Sequence, residues 1–118
     1  MANTITYYNG VQTHYFKQDT DISAGYTTAQ FVRNFRVLDM TVFITAGAVG
    51  GVLELYRLRG GVYALIASFD ASAVGRAPVL VDISQTNGLL ESGDYLFWDT
   101  NAAAITSNSI VYLQQFSI

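Results

Sequence analysis

Between positions 37 and 69 hydrophobic and polar residues alternate in three successive segments, with glycine-rich breaks between them. Residues 37–45 set Leu38, Met40, Val42 and Ile44 on one face. The second segment, 52–58, follows Gly47-Ala48-Val49-Gly50-Gly51, and the third, 62–69, follows Arg59-Gly60-Gly61. Alternation of period two marks a pleated strand with one buried face, and short glycine connections join antiparallel neighbours. No stretch carries the apolar spacing of an amphipathic helix.

The same pattern extends to both ends of the chain. Residues 5–8 and 11–16 flank Asn9-Gly10, a pair suited to a two-residue hairpin because both central positions need positive φ. Residues 17–28 lose the alternation and read as a loop or extended arm. Residues 31–36 fit either a short strand or the approach to the long strand that follows. Pro78 opens a strand over 79–83, where proline is tolerated. Two further strands span 95–100 and 109–117. About eight strands without helices predict an all-β, antiparallel two-sheet sandwich, jelly-roll-like, with an immunoglobulin-like sandwich as the alternative. The expected core holds Leu38, Val42, Leu53, Leu55, Leu65, Val81, Phe97 or Trp98, and Leu113.

Length and composition sharpen this picture. The 118 residues make one sandwich domain, within which 1–36 is a candidate hairpin or arm for docking. Hydrophobic residues make up 51% of the chain and charged residues 13%, against a usual charged share of about 25%. So sparse a charge complement suits a domain that hides surface in an assembly. The net charge of −3 and the single lysine, Lys17, argue against nucleic acid as partner. Without cysteine there is no disulfide framework and no thiolate metal site. No apolar run has the length of a membrane helix. Met1-Ala2-Asn3-Thr4 lacks the features of a signal peptide, so synthesis in a cytosol without secretory export is expected.

Residues able to carry chemistry are few. His14 is the only histidine, and any triad or imidazole metal site would need it. Asp19 with Asp21, and Asp94 with Asp99, lack the spacing of a calcium loop and fit turn and capping roles. Glu54 and Glu91, the only glutamates, give no sign of meeting as a glycosidase pair. The glycine run at 47–51 lacks the Lys-Ser/Thr ending of a phosphate loop. No enzymatic activity, cofactor or metal is expected. The surplus is aromatic, with eight tyrosines, seven phenylalanines and one tryptophan. Trp98, Tyr95, Tyr56 and Tyr63 are candidates for stacking a sugar ring, although Trp98 falls on a face that reads as buried.

In overall character the chain resembles small bacteriophage capsid decoration, or cement, proteins. The likeness lies in its short cysteine-free sequence rich in Ala, Gly, Ser, Thr, Tyr and Asn. It lies also in the runs Gly50-Gly51-Val52-Leu53-Glu54-Leu55-Tyr56-Arg57-Leu58 and Gly93-Asp94-Tyr95-Leu96-Phe97-Trp98, which are similar to jelly-roll strands of virion modules. The resemblance implies a non-enzymatic homotrimer on the outer surface of a phage shell, bound to the major capsid protein. Tyrosine and arginine anchor interfaces, so Tyr7, Tyr8, Tyr15, Tyr26, Arg33 and Arg36 are the expected partner-binding residues. The alternative is a carbohydrate- or ligand-binding sandwich of receptor-binding or lectin-like type.

Overall fold

A computed structural model describes the backbone of residues 2–8, 11–17, 26–27, 30–102 and 104–115, and the side chains of all these but 2–8 and 11–17. Among them are eleven strands and no helix. One sheet has six strands: β1 (Ala2–Tyr8), β2 (Val11–Lys17), β11 (Thr106–Gln115) and β4 (Phe35–Ala46) in that order, then the short β7 (Gly75–Arg76) and β9 (Leu89–Leu90), both on β4. The other has five, in the order β3 (Tyr26–Thr27), β10 (Tyr95–Thr100), β5 (Val52–Arg59), β6 (Val62–Asp70) and β8 (Val79–Val81). Every pairing is antiparallel.

The pairings are nested. Strand β2 pairs with β11, β3 with β10, β4 with β9 and β5 with β6. Two further ladders, β4 with β11 and β5 with β10, complete the sheets. Eight strands paired first with last and folded over into two sheets make a jelly roll. Strands β1, β7 and β8 are additions at its edges. The immunoglobulin-like alternative would not nest its strands in this way.

Burial explains why these segments are strands. Leu53 and Leu55 of β5, Leu96 and Trp98 of β10, and Val111 and Leu113 of β11 all point inward and are almost wholly shielded. Each such large side chain stabilises the fold by roughly 1.5–3 kcal/mol relative to exposure. The β5–β6 hairpin turns through Gly60 and Gly61, with φ of 57° and 78°. Both central residues of a type I′ turn need that region, which glycine enters without strain.

Three expected core residues, Leu38, Val81 and Leu65, lie elsewhere. In the β4–β11 ladder Tyr112 opposes Asp39 and Leu113 opposes Val37, which leaves Leu38 as an extra residue in a β-bulge. The bulge shifts the alternation, so Val37 is buried and Leu38 is 43% exposed. Val81 belongs to the edge strand β8 and is 45% exposed. A second bulge leaves Ile66 unpaired between Leu65 and Ala67, so Ile66 and Ala67 are buried while Leu65, opposite the outward Tyr56, is only half-buried. Of the two aromatic candidates for the core, Trp98 is the one inside, at 1% exposure.

The chain's first hairpin is joined to the six-stranded sheet along the whole of β2. Its Asn9-Gly10 turn lies outside the described residues, as does 18–25 of the expected loop. Within that expected loop, Tyr26 and Thr27 instead form the short strand β3.

The bulge at Leu38 separates two substitutions that the alternation treats alike. Leu53→Ala is expected to cost about 2–5 kcal/mol, and Leu38→Ser within about 0.5 kcal/mol of zero. Urea unfolding of both variants measures this. Comparable losses would contradict the bulged register.

Candidate functional site

The outer face of the five-stranded sheet carries the most distinctive surface. Glu54 and Tyr56 alternate with buried Leu53 and Leu55, and so project outward from β5. Phe97 and Asp99 alternate with buried Leu96, Trp98 and Thr100, and project from β10. The antiparallel register places Phe97 opposite Tyr56 and Asp99 opposite Glu54. On the other side of β5, Tyr56 faces Leu65 and Leu58 faces Tyr63. An aromatic area therefore ends at a pair of carboxylates.

The rings touch one another. Centroids lie 4.9 Å apart for Tyr63 and Phe97, 6.1 Å for Tyr56 and Tyr63, and 6.3 Å for Tyr56 and Phe97. Their planes are mutually inclined by 58°, 84° and 49° respectively, as aromatic quadrupoles favour. With Asp99 they line a depression of about 390 Å³. Burial, hydrogen bonding to Glu54 and the charges of Glu54 and Asp99 together push the Tyr56 phenol upward from its ordinary value. Glu54 and Asp99 give this face its negative charge.

An ion pair reinforces the strand register at the end of this sheet. Arg59 Nε donates to Asp94 Oδ1 at 2.9 Å, and Arg59 Nη2 donates to Oδ2 at 2.7 Å. Asp94 is 2% exposed. Its Oδ2 also accepts from the Glu91 N–H at 2.8 Å, and the Glu91 carboxylate lies 3.3 Å from Arg59 Nη2. Asp94 thus fills the turn role expected of it. Burial alone would raise its carboxyl, but the Arg59 hydrogen bond, the Glu91 N–H and the charges of Arg59 and Arg57 outweigh that and hold it below the usual carboxylate value.

Of the expected partner-binding residues, the side chains of Tyr26, Arg33 and Arg36 are described, and Tyr26 and Arg36 belong to different sheets. Tyr26 is half-buried in β3 opposite Trp98, in the five-stranded sheet. Arg36 is exposed in the six-stranded sheet, where its Nη2 donates to Gln114 Oε1 at 2.7 Å. Arg33 is exposed ahead of β4. The side chains of Tyr7, Tyr8, Tyr15 and His14 lie outside the described residues; by backbone register Tyr15 pairs with Thr4 and Ile110. Of the stacking candidates, Trp98 is in the core, whereas Tyr56 and Tyr63 belong to the outward cluster. Phe97 and the opposed Glu54 and Asp99 escaped sequence reasoning, because their meeting depends on pairing between distant strands. Among the described residues no three His, Cys, Asp or Glu side chains group as a metal site.

Asp94→Asn tests the ion pair. A folded carboxyl held below its unfolded value near about 3.9 gives stability that is complete above that pH and is lost as pH falls through the folded value. The substitution is expected to cost about 2 kcal/mol at neutral pH and to flatten the acid-side loss of stability. Urea unfolding across a pH series reads both effects. An acid limb as steep as that of the parent chain would contradict the assignment. No protein-family model, curated protein or solved structure matches the chain, and the functional reading rests on sequence character and geometry.

Proposed function

We propose that this chain is a non-enzymatic virion structural protein, a capsid decoration protein that stabilises the outer surface of a phage shell as a homotrimer. The observation that carries this reading is strand β8. Val79, Leu80 and Val81 are exposed by 53%, 54% and 45%, in succession, along the open edge of the five-stranded sheet. An exposed apolar edge strand invites pairing with another chain, and a soluble protein keeps one where a partner covers it. Scarce surface charge agrees, because interface cores are depleted in charged residues.

In a trimer the same contact repeats around a ring, so β8 of each copy meets a different surface of its neighbour. The stretch 1–36, with Tyr7, Tyr8, Tyr15, Tyr26, Arg33 and Arg36, then supplies the contact with the major capsid protein. The role asks for no cofactor, nucleic acid or membrane. Its place is the capsid surface, after synthesis in the host cytoplasm.

Light scattering at micromolar concentration is expected to return a trimer mass. Leu80→Lys is expected to return a monomer with an unchanged far-ultraviolet spectrum. A monomeric parent chain would overturn the oligomer. Gradient-purified phage particles from the genome encoding this chain are expected to carry it in fixed stoichiometry with the major capsid protein, and its absence from them would overturn the virion role.

A further inference from the structure

We infer that the outward face of the five-stranded sheet at Tyr56, Tyr63, Phe97, Glu54 and Asp99 receives an arginine side chain from the surface of a partner protein. This goes beyond the assembly reading, which uses β8 and the N-terminal stretch, and it stands or falls separately.

The argument starts from an unfavourable pairing. Glu54 and Asp99 are direct cross-strand partners on one face. Residues so placed have Cβ atoms about 4.5–5.5 Å apart, and like charges there repel. Among the described residues the ion pairs all belong to Arg59, so no described cation offsets either carboxylate. The Thr100 N–H donates to Asp99 Oδ1 at 2.9 Å, a local bond that leaves the charge in place. A cation seated between the two carboxylates would turn this repulsion into attraction.

The neighbouring rings determine what kind of cation fits. Aromatic faces attract cations through their quadrupole, more strongly where water is excluded. A guanidinium is planar, stacks on rings and presents a fork of N–H donors to carboxylates, whereas an ammonium is a compact and strongly hydrated point charge. Rings on one side and two carboxylates on the other match the guanidinium. A bare divalent ion is a poor match, because two carboxylates fall short of the six to eight oxygens that calcium takes. A neutral sugar is also less well matched. Three rings inclined by 49° to 84° form a cup and not a flat stacking platform, and a sugar leaves the carboxylate repulsion in place. The depression of about 390 Å³ has room for one such side chain.

The test is a nuclear magnetic resonance titration of the full chain with N-acetyl-arginine amide, with the neutral isostere N-acetyl-citrulline amide, and with glucose and galactose. The arginine compound is expected to shift the ring signals of Tyr56, Tyr63 and Phe97 and the amide of Asp99 in a saturable, salt-sensitive way. Citrulline and the sugars are expected to leave them in place. The double variant Glu54→Gln, Asp99→Asn should weaken arginine binding by at least about tenfold. Its melting temperature should be no lower than that of the parent, since a repulsive pair has been removed, so lost binding will not reflect lost folding. Equal shifts with citrulline, shifts with a sugar in place of arginine, or no shift with arginine would each overturn the inference.

Discussion

The bidentate contact between Arg59 and Asp94 fixes the register on which the candidate surface depends. Tyr95 pairs with Leu58, so these two charges occupy the next rung of the same ladder. Two charged hydrogen bonds of 2.9 and 2.7 Å hold them there. A slip of one residue would send every side chain of β10 to the opposite face. Trp98 would then lie outside, with Phe97 and Asp99 inside. The ion pair opposes that slip, and a buried carboxylate left without its guanidinium would be costly. Asp94 also anchors the preceding chain, because its carbonyl accepts from the Phe31 N–H at 2.9 Å while the Gly93 N–H donates to the Phe31 carbonyl at 2.7 Å.

From that register the two useful surfaces follow. Among the described residues the inner faces of both sheets are closed by leucine, isoleucine, valine and Trp98, save for a cavity of about 160 Å³ where Met40 and Phe69 meet Val79 and Ile83. Two exposed surfaces lie on the five-stranded sheet, its outer aromatic face and its β8 edge. The aromatic face joins tyrosine and carboxylate chemistry, whereas the edge offers unshielded aliphatic side chains.

Much of this architecture was legible in the sequence because local rules govern it. Alternation identified β5 and β10 and their inward Leu53 and Leu55 and narrowed the inward aromatic of β10 to Phe97 or Trp98, and Gly60-Gly61 identified the turn between β5 and β6. The nested order agrees with the jelly-roll expectation. Local rules failed where a distant strand decides. Leu38 continues an unbroken alternation, and only its mismatch with Tyr112 and Leu113 makes it the bulged residue. Val79-Leu80-Val81 has the composition of a buried strand, yet it has a neighbour on one side only. The two-residue strands β3, β7 and β9 are too short to display a period. The site was half visible for the same reason. Tyr56 and Tyr63 stood out as aromatic candidates, but the meeting of Glu54 with Asp99 comes from pairing across some 45 residues of chain, which spacing along the sequence does not encode.

Trp98 makes the central register directly measurable, because it is the only tryptophan in the chain. With Trp98 inward, and Phe97 and Asp99 consequently outward, its fluorescence is expected to be blue-shifted and almost untouched by acrylamide in the folded protein. Unfolding in urea should shift the emission to the red and open it to the quencher. A folded chain with intact β-sheet spectra whose tryptophan emits as in water and is freely quenched would contradict the register, and with it the outward aromatic and acidic face.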